Sequence, residues 1–241
     1  MVYDLLIRNA NVLDGSGAAH FRADVAIQGE RICAIGAMPY ATATTIIDAN
    51  ERYLAPGFID VHTHDDTNVI RVPEMLPKLT QGVTTVVVGN CGISASPVTL
   101  ASEVPDPMNL LGKLEDFRYP SFADYANAVD AAQPSINVAA LVGHTSLRSQ
   151  VMDSFARPAS AAEITKMEVL LRQALEEGAL GLSSGLAYRN AISAPTTEMA
   201  PLVAAVGKSG GVYTTHLRDE FAGLLGPWTK RLPPLVMAKC R

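Results

Sequence analysis

His62 and His64 stand two residues apart in "FIDVHTHDD", residues 58–66, directly behind an apolar run. In an extended strand, residues i and i+2 share a face. Both imidazoles are therefore expected to point the same way, where they can share one cation. Two more groups of the same chemical kind close other apolar runs. Cys91 ends "VVVGNCG", and His216 ends "GVYTTH" ahead of "LRDE". Imidazole nitrogen and cysteine thiolate are donors that Zn²⁺ takes. Taken singly, each has an ordinary reading: a strand-end histidine is commonly structural, and a free cysteine is commonly a small buried hydrophobe. Their delivery to one rim by separate strands is what argues for zinc, with His62, His64, Cys91 and His216 as the candidate ligands. His144, in "LVGHTSLR", follows a further apolar run. Three roles stay open for it: backing the ligands, facing a substrate, or hydrogen bonding within the fold. His20 reads as a surface residue.

The elements that must position these groups follow from periodicity. Residues 1–56 read as a meander of small strands, "DLLIRNA", "ADVAIQ", "RICAIG" and "TTIID", with turn residues between them. From residue 58 the rhythm becomes strand–helix. Strands are expected at 58–62, 83–88, 136–142, 179–183 and 211–216, largely apolar, as strands buried on both faces should be. Helices are expected over "SFADYANAVDAA", over 160–177 and over "PTTEMAPLVAAVGKSG". In the second, Ser160 and Glu163 have capping-box spacing, and Ile164, Met167, Leu170, Leu171, Ala174 and Leu175 form one stripe that Gly178 ends. Such alternation implies an α/β fold with a parallel sheet, either doubly wound or a (β/α)8 barrel. Both build their sites at the C-terminal ends of the strands. Residues 90–120, with Pro97, Pro105, Pro107 and Pro120, read as a long loop after the second strand.

Composition narrows the class. The 241 residues carry a net charge of −5, with 48% hydrophobic and 18% charged residues. The chain is globular, and its sign argues against nucleic acid or an anionic membrane as partner. No apolar run approaches the ~18–20 residues that span a bilayer. Asp4 and Arg8 interrupt the stretch where a signal peptide needs an apolar core. Three widely spaced cysteines, Cys33, Cys91 and Cys240, suit a reducing cytoplasm better than a disulfide framework.

Five segments together, "APGFIDVHTHDD", "GVTTVVVGNCGIS", "NVAALVGHTSLR", "GALGLSSGLAY" and "TTHLRDE", resemble the N-acyl-D-amino-acid deacylase (D-aminoacylase) family of the amidohydrolase superfamily. The opening "DLLIRNANVLDGSG" resembles that family's small β-domain. The resemblance implies a zinc-bearing (β/α)8 barrel with a small β-sandwich domain, and hydrolysis of the amide of an N-acyl-D-amino acid. By motif, His62 and His64 match the first-strand pair, Cys91 the second-strand ligand, and His216 the fifth-strand ligand. Tyr188 matches a tyrosine that faces the substrate carboxylate, although Arg189-Asn190-Ala191 stands where the family usually has Pro-Gly.

The same resemblance places a catalytic aspartate and a sixth-strand histidine beyond this chain, so no catalytic residue is assigned within it. About five of eight barrel strands are expected, over residues 57–220, after a partial β-sandwich at 1–56. Residues 221–241 hold Trp228, Pro233 and Pro234 and no acidic group, and read as an atypical, out-of-frame ending. Poor turnover and self-association through open barrel edges are the expected consequences. Two other functions compete. A cyclic amidase of the hydantoinase or dihydroorotase type calls for a strand-four lysine, which "ALGLSSG" lacks. An inactive metal-binding remnant is the third reading.

Overall fold

The computed structural model describes residues 2–219. The expectation for the 221–241 tail lies outside the described residues. The chain divides into two compact units, Met1–Gly57 and Phe58 onward.

The first unit is one mixed sheet of β1 (Val2–Val12), β2 (Phe21–Gln28), β3 (Arg31–Gly36), β4 (Thr42–Asp48) and β5 (Tyr53–Leu54). Strands β1, β2 and β3 form the expected antiparallel meander. The fourth strand departs from it. β4 crosses back to run parallel to β1, and β5 does the same, giving the order β3-β2-β1-β4. Its small core is Ala10, Val12, Ala23 and Val25.

The second unit runs β6 (Phe58–Asp60), α1 (Asn68–Arg71), α2 (Leu76–Leu79), β7 (Val83–Val88), β8 (Val98–Thr99), β9 (Arg118–Tyr119), α3 (Phe122–Ala132), β10 (Asn137–Gly143), α4 (His144–Val151), α5 (Ala161–Glu176), β11 (Gly181–Gly185), α6 (Thr196–Ser209) and β12 (Val212–His216). Its five long-range strands are all parallel, in the order β12-β11-β10-β7-β6. This is the strand–helix α/β architecture that the periodicity predicts. Ser160 and Ser121 close capping boxes at the starts of α5 and α3. Met167, Leu171 and Ala174, at helical spacing, are buried against Val86, Val142 and Leu182 of the sheet.

Three segments differ from expectation. β6 ends at Asp60, so His62 and His64 stand in the loop beyond it. Residues 90–120 are not one open loop. The short strands β8 and β9 pair, and Ile93, Val98, Met108, Leu111 and Phe117 make a separate core beneath them. Helix α4 follows β10 with no break, yet shows no apolar stripe. Its inward residues are His144, Thr145, Ser146, Leu147 and Arg148, all fully buried.

The polar ones among them anchor loops. Arg148 Nη1 donates to Glu198 Oε1 of α6 at 2.8 Å. Its Nη2 donates to Arg157 O at 2.7 Å and to Ser193 Oγ at 3.1 Å. Glu198 Oε2 accepts from Ala159 N at 2.9 Å. His144 Nε2 meets Glu198 Oε1 at 2.9 Å. Of the three roles left open for His144, the hydrogen-bonded one is what the structure shows. Burial holds the His144 imidazole below its ordinary pKa, although Glu198 pulls the other way. Burial pushes Glu198 up, but the hydrogen bonds from His144 and Ala159 and the Arg148 charge outweigh it and leave its pKa lowered.

A pH dependence follows. The unfolded histidine takes up a proton near pH ~6.5, which the folded site refuses until its lower pKa is reached. Stability is therefore complete well above the unfolded value of ~6.5 and falls as pH is lowered from 7.5 to 5.5. His144→Gln keeps a donor for Glu198 and removes the titration. Melting temperature plotted against pH should have a shallower slope in this variant than in the wild type. Equal slopes would show that the folded site accepts a charged His144.

Candidate metal centre

The turn after β7 carries the cysteine. Cys91 adopts φ +56°, between Gly89 and Gly92 at +76° and +79°. A left-handed non-glycine residue costs ~1–3 kcal/mol and persists only where its surroundings dictate it. Here they do. Ser183 Oγ of β11 accepts from Gly92 N at 2.9 Å and donates to Gly89 O at 2.5 Å. Gly92 O accepts from Thr145 N at 2.8 Å. It thereby caps α4, whose own cap residue, Gly143, has no side chain to offer. Ser94 and Ser146 brace the exit of the turn: Ser94 N donates to Ser146 Oγ at 2.7 Å, and Ser94 Oγ accepts from Gly143 N at 2.9 Å.

Glycine is required where this turn rests on the sheet. A Cβ at Gly143 would lie 2.6 Å from the backbone of Gly92. One at Gly185 would lie 2.1 Å from Cys91 O and 2.5 Å from the Tyr188 ring.

So held, the Cys91 Sγ reaches 3.0 Å from His62 Nε2. One ligating atom from each of His62, His64 and Cys91 lies within 4.8 Å of the others. Atoms bound ~2.0–2.3 Å from one ion lie no more than about 4.6 Å apart, so the three are already near the spacing an ion imposes. His62 is exposed, His64 half-buried and Cys91 buried. His64 Nδ1 is buried with no hydrogen-bond partner among the described residues. Burial, and then the neighbouring His62, lower the His64 pKa and favour the neutral imidazole that a metal requires. Two imidazoles, a thiol and an unsatisfied ring nitrogen fit a zinc-type cation.

His216 is not one of that group. It ends β12, paired in register with Gly185 of β11. Its Nδ1 lies 3.4 Å from Tyr188 Oη, and the two rings are 4.9 Å apart between centroids. The structure thus brings Tyr188 to His216, and His62 and His64 to Cys91, while His144 belongs to the Glu198 network. His20 is exposed, with its ring against Tyr53.

Two of the carboxylates nearby in sequence are occupied. Lys78 Nζ holds Asp60 at 2.7 Å and Asp65 at 3.3 Å. Asp66 is buried beneath the turn, where burial pushes its carboxyl up to about 7 against the lowering by the Gly89 and Ala95 N–H groups. The residues that sequence reasoning misses are those that shape the turn: Gly143, Ser146, Ser183 and Gly185. The only signal for them is the pair of glycine-flanked polar motifs "LVGHTS" and "GLSSG".

A parallel sheet that gathers two histidines and a cysteine beyond its strand ends defines a class: an α/β fold with a metal centre on its C-terminal edge. Residues 45–224 match the amidohydrolase family, and the chain belongs to it. The N-acyl-D-aspartate deacylase of Alcaligenes xylosoxydans xylosoxydans is 46% identical over 218 residues, which are 90% of this chain and 44% of that protein. A crystal structure of D-aminoacylase superposes with a TM-score of 0.90 at 42% identity, covering 94% of this chain and 48% of the other. N-acyl-D-glutamate deacylase from Bordetella bronchiseptica, complexed with zinc and a phosphonate mimic of the tetrahedral intermediate, superposes at 0.89 with 40% identity, covering 94% of this chain and 47% of the other. The chain spans about half the length of the relatives it matches.

Gly185→Ala tests the seating of the turn. The added methyl must displace Cys91 or Tyr188, and overpacking of this kind costs ~1–3 kcal/mol. Alkylation of Cys91, followed by peptide mass mapping, should speed up in this variant. Gly207→Ala meets no atom within 4 Å and serves as control. Equal alkylation in both would mean that the turn does not depend on Gly185.

Proposed function

We propose that this chain serves the zinc-dependent hydrolysis of the amide bond of N-acyl-D-amino acids, with His62, His64, Cys91 and His216 as zinc ligands. The observation that carries this is the approach of His62, His64 and Cys91 to within 4.8 Å of one another. It occurs in a chain 46% identical to a deacylase of that class. Zinc bound there supplies Lewis-acid chemistry, bringing the pKa of a water down to about 7. The chain's own residues set the geometry. The Cys91 turn fixes the thiol, the loop beyond β6 fixes the imidazoles, and β12 delivers His216. Tyr188, at the same sheet end, is the group for the substrate carboxylate.

Proton transfer to the leaving amine is assigned to no described residue. Asp60 and Asp65 are paired with Lys78, and Asp66 is buried. General acid–base help is worth ~10²–10⁴-fold. The odd cysteine count supports a cytoplasmic setting. Among the described residues no helix is long and apolar enough to cross a membrane.

Metal analysis of the purified chain should find about one zinc, lost in Cys91→Ala. Hydrolysis, however slow, should be confined to the D-enantiomers of N-acetylated amino acids and fall with the zinc. A wild-type chain without zinc, or one that opens a hydantoin ring in preference, would sink the reading.

Self-association belongs to the same proposal. Among the described residues β6 and β12 are the outer strands of the sheet, and Phe58, Ile59 and Val61 are 63%, 61% and 65% exposed. Such edges pair with further strands. Size-exclusion chromatography should show concentration-dependent oligomers, reduced by Ile59→Lys with Val61→Lys. A monodisperse monomer at all concentrations would refute it.

A further inference from the structure

Arg218 lies two residues past His216, and its guanidinium reaches back to a different segment. Nη1 donates to Ile192 O at 2.5 Å and Nη2 to Ala194 O at 2.7 Å. Both carbonyls belong to the connection between β11 and α6, which also carries Tyr188. Other bonds hold this connection elsewhere. Asn190 Nδ2 donates to Asp106 O, tying it to the insertion after β7. Ser193 Oγ donates to Phe155 O at 2.8 Å, tying it to the loop ahead of α5. At its start, Leu186 N donates to His216 O at 3.2 Å. Beyond Tyr188, the Arg218 pair binds it to the chain that follows His216.

The chemistry suits arginine. Two donors of one rigid fork meet two carbonyls two residues apart, a geometry that the single flexible ammonium of lysine does not reproduce. Arg218 is itself exposed, so burial of apolar surface does not explain its placement. Its hold falls across Tyr188, whose hydroxyl lies 3.4 Å from His216 Nδ1. A partner at one ring nitrogen fixes the tautomer and swing of an imidazole.

We infer that Arg218 is a positioning residue: it ties the β11–α6 connection to the end of β12 and so sets Tyr188 against His216. The tie rests on this geometry alone. Its effect on His216 as a ligand rests on the zinc reading above.

Two measurements on the full chain separate the parts. Arg189 is exposed within the connection and offers trypsin a bond beside Tyr188. Without metal, Arg218→Ala should raise the initial rate of cleavage after Arg189 roughly tenfold, the equivalent of about 1.4 kcal/mol of lost closure. Arg218→Lys should be intermediate, and cleavage after Arg172 on α5 should not change. Cleavage after Arg189 at the wild-type rate overturns the tie. In a Co²⁺ titration, Arg218→Ala should weaken binding several-fold, and the effect should vanish in a Tyr188→Phe background. An undiminished effect there would show that Arg218 does not act through Tyr188. A wild-type chain that binds no Co²⁺ overturns the zinc reading and the effect on His216 together, while the proteolysis still decides the tie.

Discussion

The Gly89–Gly92 turn lies directly on the ends of β10 and β11, so close that a methyl group at Gly143 or Gly185 would fall 2.6 or 2.1 Å from its backbone. Backbone against backbone is the closest approach a chain can make, and it leaves polar groups that must all be satisfied. Ser183 bonds both Gly92 N and Gly89 O, and Gly92 O caps α4. The Cα–Cβ bond of Cys91 is aimed by this seating, because its backbone is held left-handed between two bonded glycines. Four elements, β7, β10, β11 and α4, meet in one turn. A change at any of them moves the sulfur.

Below the turn the fold buries a guanidinium, a carboxylate and an imidazole together. Bare charge in the interior is costly, and a buried ion pair commonly does no better than packed hydrocarbon. Arg148 and Glu198 offset that cost by making further bonds to chain that no apolar residue could fix: Arg157 O, Ser193 Oγ and Ala159 N. The pair therefore acts less as a contribution to stability than as a specification of where two loops run. One of those loops carries Tyr188. Removing either partner strands the other, so the cluster is all or nothing.

How much of this can be read from the chain depends on how local the cause is. Helix α5 is legible because its cap, stripe and stop lie within nineteen residues, and the capping box at Ser160 and Glu163 forms as the spacing predicts. His62 and His64 are legible because two imidazoles two apart carry their own meaning, even though strand β6 ends before them. Cys91 meets His62 across 29 residues, and its flanking glycines give a partial sign of the turn. His144 is not legible in this way. Its partner Glu198 lies 54 residues away on another helix, and nothing beside "LVGHTS" names it. The return of β4 to pair parallel with β1 is hidden for the same reason: alternation marks a strand but not its neighbour. Helix α4 escapes the apolar pattern because its buried face is largely polar, with His144 and Arg148 bonded to Glu198 and Arg148 also to the loop ahead of α5.

The three gathered donors come from regions of unequal security. Cys91 sits at the centre of the sheet's edge, fixed from four sides. His62 and His64 follow a three-residue strand at the sheet's margin, where Phe58, Ile59 and Val61 are mostly exposed. Local opening is easiest where few apolar contacts hold the chain, so the exposed strand β6 is the less secure support and the cysteine turn the more secure one. A cation shared between them would join the less secure strand to the more secure turn. Its binding energy then appears in part as order in β6, since ligands that are already placed need no ordering and ligands that are not must be ordered on binding. The rigid seating of Cys91 would then let a short and exposed strand carry two of the candidate ligands.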